Sequence, residues 1–227
     1  MSKIKLYHYV HCPFCIRVRL CLSLLGIDYI SIVLPYDDEL TPVQLTGVKM
    51  LPIAEIDGKY VNESLDIIKI LDKDNILNWG NYEKNEKEVG LLLKEIGDAV
   101  HPLAMPYWIY TPEFDDTSRS YFQTKKEKKR GDFNLLVKSK DYYITDLLSK
   151  LNSLKKFLSP YFLSSDIGLI DLMIYSHLVG LNVVPSFRFP IFFDDYMRNI
   201  EKLSSFDYHV DFWQTNTPFY KTIRDGK

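Results

Sequence analysis

Cysteine is scarce in this chain. Cys12, Cys15 and Cys21 are the only three in 227 residues, too few for a disulfide scaffold to replace a hydrophobic core. An excess of positive charge is lacking as well. Lys and Arg number 28 against 30 Asp and Glu, a net charge of −2, so nucleic acid is not an expected partner. Long apolar runs are also missing. The longest, Leu169 to Val184, carries Asp171, Ser176, His177 and Asn182 and falls short of the roughly 20 residues of a membrane span. It is expected to be a buried helix, and no membrane association is expected. The opening Met1-Ser2-Lys3-Ile4-Lys5-Leu6-Tyr7-His8 has no uninterrupted apolar stretch of the kind that forms a secretory leader. There is no internal repeat and no low-complexity tract. These absences make a reducing cytoplasm the expected compartment, where a close cysteine pair is more often catalytic or metal-binding than structural.

Apolar residues are plentiful. Hydrophobic side chains make up 46% and aromatics 14%, enough to build one large core or two smaller ones and to argue against disorder. Their spacing changes along the chain. Ile4 to Tyr9 alternates like a half-buried strand, and Val18, Leu22 and Leu25 then recur at helical spacing from Pro13 until Gly26. Tyr29 to Leu34 is β-branched and apolar, and strand, helix and strand in that order predict a right-handed crossover and a parallel pair. Pro52 to Ile56, Asp57-Gly58 and Lys59-Tyr60-Val61 form a hairpin signal. A helix follows near Asn62-Glu63-Ser64. After a polar connection only helical periods remain. Val89 to Val100 forms one stripe, ending at His101-Pro102, and Ile144 to Leu158 a longer one, ending at Ser159-Pro160. Leu169 to Leu181 and Phe192 to Leu203 form the last two. The expected organisation is an α/β domain over 1–73, a linker over 74–84 and an all-α domain over 85–227.

Chemistry concentrates at His11-Cys12-Pro13-Phe14-Cys15. A zinc site needs further ligands, and no second Cys-x-x-Cys or His-x-x-x-His exists. Covalent haem attachment needs His after the second cysteine, where Ile16 stands. Two buried structural thiols remain an alternative. Against it, Pro13 suits the first helical position, which keeps Cys12 at a helix tip where unpaired N–H groups favour a thiolate. A dithiol redox site is the expectation, with Cys12 as nucleophile and Cys15, a turn deeper, as resolving thiol. Arg17 and Arg19 either add positive potential or are solvated surface residues. Cys21 is expected to be a core thiol and His177 a satisfied buried histidine. The run Lys125 to Arg130 is expected to be a solvated helix end.

Cys-Pro-Phe-Cys on a strand-to-helix turn resembles the glutaredoxin active site, normally Cys-Pro-Tyr-Cys. Leu51-Pro52-Ile53, the hairpin and Asn62-Glu63-Ser64 resemble the glutathione-binding half of glutaredoxins and glutathione transferases. Thr111-Pro112-Glu113-Phe114, Tyr121-Phe122 with Lys125-Lys126-Glu127, Gly131-Asp132-Phe133 and Gly180-Leu181-Asn182 extend the likeness over nearly the whole chain, to the glutaredoxin 2 family. The resemblance implies a thioredoxin-like N-terminal domain and an all-α C-terminal domain in a glutathione-transferase-like architecture. It implies a glutathione-dependent thiol–disulfide oxidoreductase, a monomer acting on disulfide-containing or glutathionylated proteins, with glutathione as reductant and no metal. It also implies a cis Pro52, with Leu51 offering its backbone to the cysteinyl part of glutathione as one strand rung. Ser64 would bind the γ-glutamyl carboxylate at a helix N-terminus and Glu63 the ammonium, with Pro13 and Phe14 completing the set. A trans proline opening an edge strand and simple helix capping are the plainer readings of the same residues.

The chain departs from the pattern in three places. Phe14 replaces Tyr, Met50-Leu51 replaces the usual small or β-branched pair, and Gly168 stands where transferases place a Ser or Thr cap before Asp171, with Ser164 and Ser165 nearby as substitutes. The rival functions are a glutathione transferase, which needs no second thiol, and a non-enzymatic transferase-like binding protein. A thioredoxin-type site normally reads Cys-Gly-Pro-Cys.

Overall fold

The computed structural model describes residues 4–185 and 187–208, so residues 209–227 of the expected helical domain lie outside the described part. A four-stranded mixed sheet comes first, built from β1 (Ile4–His8), β2 (Tyr29–Val33), β3 (Ile53–Ile56) and β4 (Lys59–Val61) in the order β2-β1-β3-β4. β1 and β2 run parallel, with Ile4 opposite Tyr29 and Tyr7 opposite Ile32, as the strand–helix–strand order predicts. β3 pairs antiparallel with both β1 and β4. Asp57 and Gly58 both take positive φ, 49° and 77°, which is the backbone a two-residue hairpin turn of matching twist requires. Helices α1 (Pro13–Leu24), α2 (Leu40–Thr46) and α3 (Ser64–Leu71) complete this unit.

Every later element is helical: α4 (Trp79–Trp108), α5 (Asp116–Arg130), α6 (Phe133–Lys138), α7 (Lys140–Lys155), α8 (Leu169–Leu178) with a 3-10 turn (Val179–Val183), and α9 (Ile191–Ser204). α4 is the central column, packing against α6, α7 and α8. Among the described residues, no helix is long and apolar enough to cross a membrane.

Several local expectations change. The stripe from Val89 does not stop at His101-Pro102, because α4 runs on through Pro102 and Pro106 to Trp108. A proline inside a helix forfeits a hydrogen bond at a cost of roughly 3 kcal/mol, yet both rings are buried in the helical core, and that packing outweighs the local preference. α4 also begins at Trp79, inside the stretch read as linker. Asp72 orders that stretch: its carboxylate accepts from the Ile76 and Leu77 amides at 2.8 and 3.0 Å and from Trp79 Nε1 at 3.1 Å. α2, α5 and α6 are helices that periodicity alone does not announce. Ser164 and Ser165 do not cap α8. Instead Asp171 reaches back, accepting from the Gly168 amide at 2.9 Å, from Phe162 N–H at 2.9 Å and from Tyr196 Oη at 2.8 Å.

α1 joins the two halves. Residues 15–22 of α1 are all buried, with α3 on one side and α8 and α9 on the other. A close contact locks the helical half behind it. Trp108 Nε1 donates to the Gly180 carbonyl at 2.8 Å, and a Cβ on Gly180 would lie 2.7 Å from Trp108 Cζ2. Gly180→Ala must displace the buried indole. It is expected to cost about 1–3 kcal/mol, measured as a lower urea midpoint at an unaltered m-value.

Candidate active site

Cys12 is the N-cap of α1 (φ −77°, ψ 120°) and Pro13 follows at its first turn, so the thiol stands over unpaired helix amides. Cys12 is half-buried and Cys15 fully buried, both as free thiols. The Cys15 thiol donates to the Cys12 sulfur, and this bond is the largest cause lowering Cys12 from 9.0 to about 7. The amides of Cys15 and Phe14 and the charge of Arg17 act in the same direction, against burial. Burial, followed by the same hydrogen bond, holds Cys15 well above its ordinary value. The Tyr9 amide donates to Cys15 Sγ at 3.4 Å. The two thiols are thus electrostatically unlike, one poised to ionise and one held protonated.

The other residues singled out by the sequence fall around this pair. Leu51 and Ile53 pack with Cys15 and Leu34 into an apolar cluster that Cys12 also joins. The Leu51–Pro52 bond is cis, and Pro52 is buried. Phe14 projects outward, 50% exposed. Glu63 is the exposed N-cap residue of α3 and makes no side-chain capping bond, while Ser64 beside it is buried. Glu63 lies within electrostatic reach of Arg17, as do Cys12 and Cys15. Cys21 is buried away from the pair, its thiol pushed up by burial. Among the described residues, no three His, Cys, Asp or Glu side chains converge as a cation-binding group.

Arg17 and Arg19 are not surface residues; both are buried. Arg17 stacks its guanidinium 4.6 Å from the Phe14 ring centre. Burial lowers Arg17 to about 10, which leaves it cationic at neutral pH. Arg19 turns the other way and donates to the Tyr208 carbonyl at 2.9 Å. His177 gives Nδ1 to the Met173 carbonyl at 2.8 Å and meets the Phe14 ring edge-on. Burial, with Arg17 adding to it, lowers His177 to about 4.

The setting of His11, the residue before the nucleophile, is invisible in sequence. The His11 ring is buried, stacked 5.1 Å from Trp108 at an interplanar angle of 2°. Nε2 faces Thr111 Oγ1 at 2.8 Å and touches Glu113 Oε1, while Nδ1 meets the Tyr208 hydroxyl. Thr111 spends its one hydroxyl proton on the Trp108 carbonyl at 2.6 Å, so His11 Nε2 is the donor in their bond. A histidine adjoining Cys12 is therefore held by the loop after α4 and by the segment after α9.

A buried-thiol/poised-thiol pair at a helix tip, on a small mixed sheet backed by a helical array, defines a dithiol oxidoreductase of glutathione-transferase-like architecture. Residues 88–210 match the family described as Glutaredoxin 2, C terminal domain, and residues 6–76 match Glutathione S-transferase, N-terminal domain. Glutaredoxin 2 of Escherichia coli strain K12 is 30% identical over 206 residues, 87% of this chain and 94% of that protein. The solved Glutaredoxin 2 of Salmonella typhimurium in complex with glutathione superposes with a TM-score of 0.81 at 28% identity, covering 92% of this chain and 97% of that one. A glutathione S-transferase of Ceriporiopsis subvermispora, 17% identical with a TM-score of 0.76 over 92% and 98% of the two chains, shares the fold. The chain belongs to the glutaredoxin 2 family.

The thiol asymmetry has a pH signature. Cys12 is protonated below about 7, so its alkylation by iodoacetamide should fall about tenfold per pH unit below that midpoint and level off above it. Cys15→Ala removes the donor that contributes most and should move the midpoint upward. An unmoved midpoint in that variant contradicts the account.

Proposed function

We propose that Cys12 is the nucleophile and Cys15 the resolving thiol of a glutathione-dependent thiol–disulfide oxidoreductase. The observation that carries this reading is the divergence of two neighbouring thiols, Cys12 lowered to about 7 and Cys15 raised. The Cys12 thiolate attacks a disulfide sulfur. A Cys12–S bond forms as the substrate S–S bond breaks, and the departing thiolate takes a proton from solvent. When the substrate is glutathionylated, Cys12 carries the glutathionyl group. A second glutathione thiolate then attacks that group, leaving as glutathione disulfide and returning Cys12 to its thiolate. When the substrate is a protein disulfide, Cys15 attacks the mixed disulfide and closes a Cys12–Cys15 bond, which two glutathiones reduce. Burial, the largest cause holding Cys15 protonated, persists, but bonding at Cys12 removes the two that follow it, the hydrogen bond and the negative charge, so the resolving thiol ionises more readily once it is needed.

Glutathione fits the residues around the pair. The Leu51 backbone supplies the rung for its cysteinyl part, with Pro52, Pro13 and Phe14 bordering the same face. Ser64 and the N-terminus of α3 receive the γ-glutamyl carboxylate, and Glu63, free of a capping bond, receives the ammonium. In this reading residues 1–73 form the redox unit and 74–84 the connection, into which α4 already extends from Trp79, and the helical domain is assigned from 85 onward. Family matches over 6–76 and 88–210 support that division. The partners are disulfide-containing and glutathionylated proteins, and the working form is a monomer in the cytoplasm.

The two cysteines are expected to respond unequally to mutation. Cys12→Ser should abolish glutathione-dependent reduction of hydroxyethyl disulfide, whereas Cys15→Ser should retain reduction of glutathione mixed disulfides and lose that of protein disulfides. An active Cys12→Ser enzyme sinks the assignment. Conjugation of a chlorinated nitroaromatic without disulfide reduction would instead identify a transferase.

A further inference from the structure

The basic run on α5 has a face that the reaction above does not use. Lys128 and Lys129 are exposed, as a helix end predicts, but Lys126 and Arg130 are half-buried, Arg130 against Asp98 and His101 of α4. Lys126 lies with Nζ 5.3 Å from the Phe122 ring centre. Phe122 meets Tyr36 edge-on at 4.8 Å, and Tyr36 stacks at 4.1 Å on Tyr9, whose amide donates to Cys15. Lys126 is close enough to Cys12 for that thiolate to raise its proton affinity against the effect of burial. From the other side, Arg17 faces the same thiol with its Nε buried and unpartnered.

Among the described residues Lys126 makes no ion pair, while Arg17 has the exposed Glu63 within electrostatic reach. Asp98, Glu39, Glu127 and Glu113 are engaged elsewhere. Asp98 pairs with Lys94 and Arg130 at 2.7 and 2.9 Å, and Glu39 with Lys49 and Lys125, each at 3.1 Å. Glu127 accepts from Gln123 and from the Phe133 amide, each at 2.9 Å, and Glu113 lies against His11. The two histidines near these cations add no charge: His177 is lowered to about 4 and His101 to about 3, each chiefly by burial. A protein of net charge −2 thus leaves Lys126 without an ion pair on the helical side of its nucleophile, with Arg17 on the other side. Desolvated cations without partners are costly, and an anionic ligand offsets that cost.

We propose that Lys126, with Arg17 behind it, is a specificity-determining residue that selects disulfide substrates whose cysteine is flanked by carboxylates. This rests on the oxidoreductase reading and names the substrate class for that same site. In the step concerned, the Cys12 thiolate displaces an acidic peptide from its glutathione mixed disulfide. The Cys12–S bond to glutathione forms, the peptide S–S bond breaks, and the peptide leaves as a thiolate with its carboxylates against Lys126. α5 thereby takes a part in choosing the substrate, although it supplies no atom to the sulfur exchange.

The test uses glutathione mixed disulfides of short single-cysteine peptides, flanked by Asp, by Ser or by Lys, with the full chain. Wild type should reduce the acidic peptide with a kcat/KM about fivefold above the Lys-flanked one at low salt, the scale of one partly screened ion pair. Lys126→Gln should bring that ratio to about one, Lys126→Glu should reverse it, and Lys126→Arg should preserve it. The alkylation midpoint of Cys12 is the second readout. A ratio of one in wild type, or an acidic preference that survives Lys126→Gln, overturns the proposal. So does an equal loss on all peptides with a raised midpoint, since Lys126 would then act on the thiolate. Wild-type inactivity on every peptide overturns the parent oxidoreductase reading, a result distinct from activity without charge preference.

Discussion

Everything in this molecule depends on the burial of α1. Residues 15–22 have no solvent face, so the helix that carries the nucleophile at its tip is a core element for both halves of the fold. The sheet unit alone covers only part of its surface, and α8 and α9 cover the rest. Burial also dictates the electrostatics. A sulfur at the tip of a desolvated helix feels the amide dipoles and the Arg17 charge with little screening, while a sulfur one turn inside has no water to support its ionised form.

Two contacts tie the helical half to the sulfur more directly. His11 immediately precedes Cys12 and is clamped between Trp108, Thr111, Glu113 and Tyr208. Arg19, on the opposite side of α1 from Arg17, fastens the segment after α9 through the Tyr208 carbonyl. Tyr208 therefore bonds the turn before the helix through its side chain and the helix itself through its backbone. The helical array positions the nucleophile as well as shielding it.

Features written in local periodicity or local chemistry were legible in the sequence. Alternation marked β1, a β-branched apolar run marked β2, Asp57-Gly58 marked the hairpin, and Pro13 after Cys12 marked the helix tip with its unequal thiols. Features that depend on tertiary packing were not. Only the end of α5, Lys125 to Arg130, was legible as a helix end; its body escaped because its apolar residues Tyr121 and Phe122 are adjacent. What defines it is the Asp115 side chain accepting from the Ser118 amide. α4 outran its prolines because burial overrode propensity. Arg17 and Arg19 carry surface-type side chains, and only the packing of α8 and α9 over α1 explains their burial. The Glu113 partner of His11 lies in the other half of the chain, where no spacing rule reaches it.

The double grip of Tyr208 bears on how the protein comes into being. Synthesis runs from the N-terminus, so both cysteines leave the ribosome long before the residues that complete their surroundings. Until the segment around Tyr208 has emerged, His11 lacks one of its clamps and Arg19 its carbonyl partner. The packing that encloses the start of α1 is thus completed only after residue 208 has been made. A shorter nascent chain carries the two sulfurs with their nearest neighbours but without that enclosure.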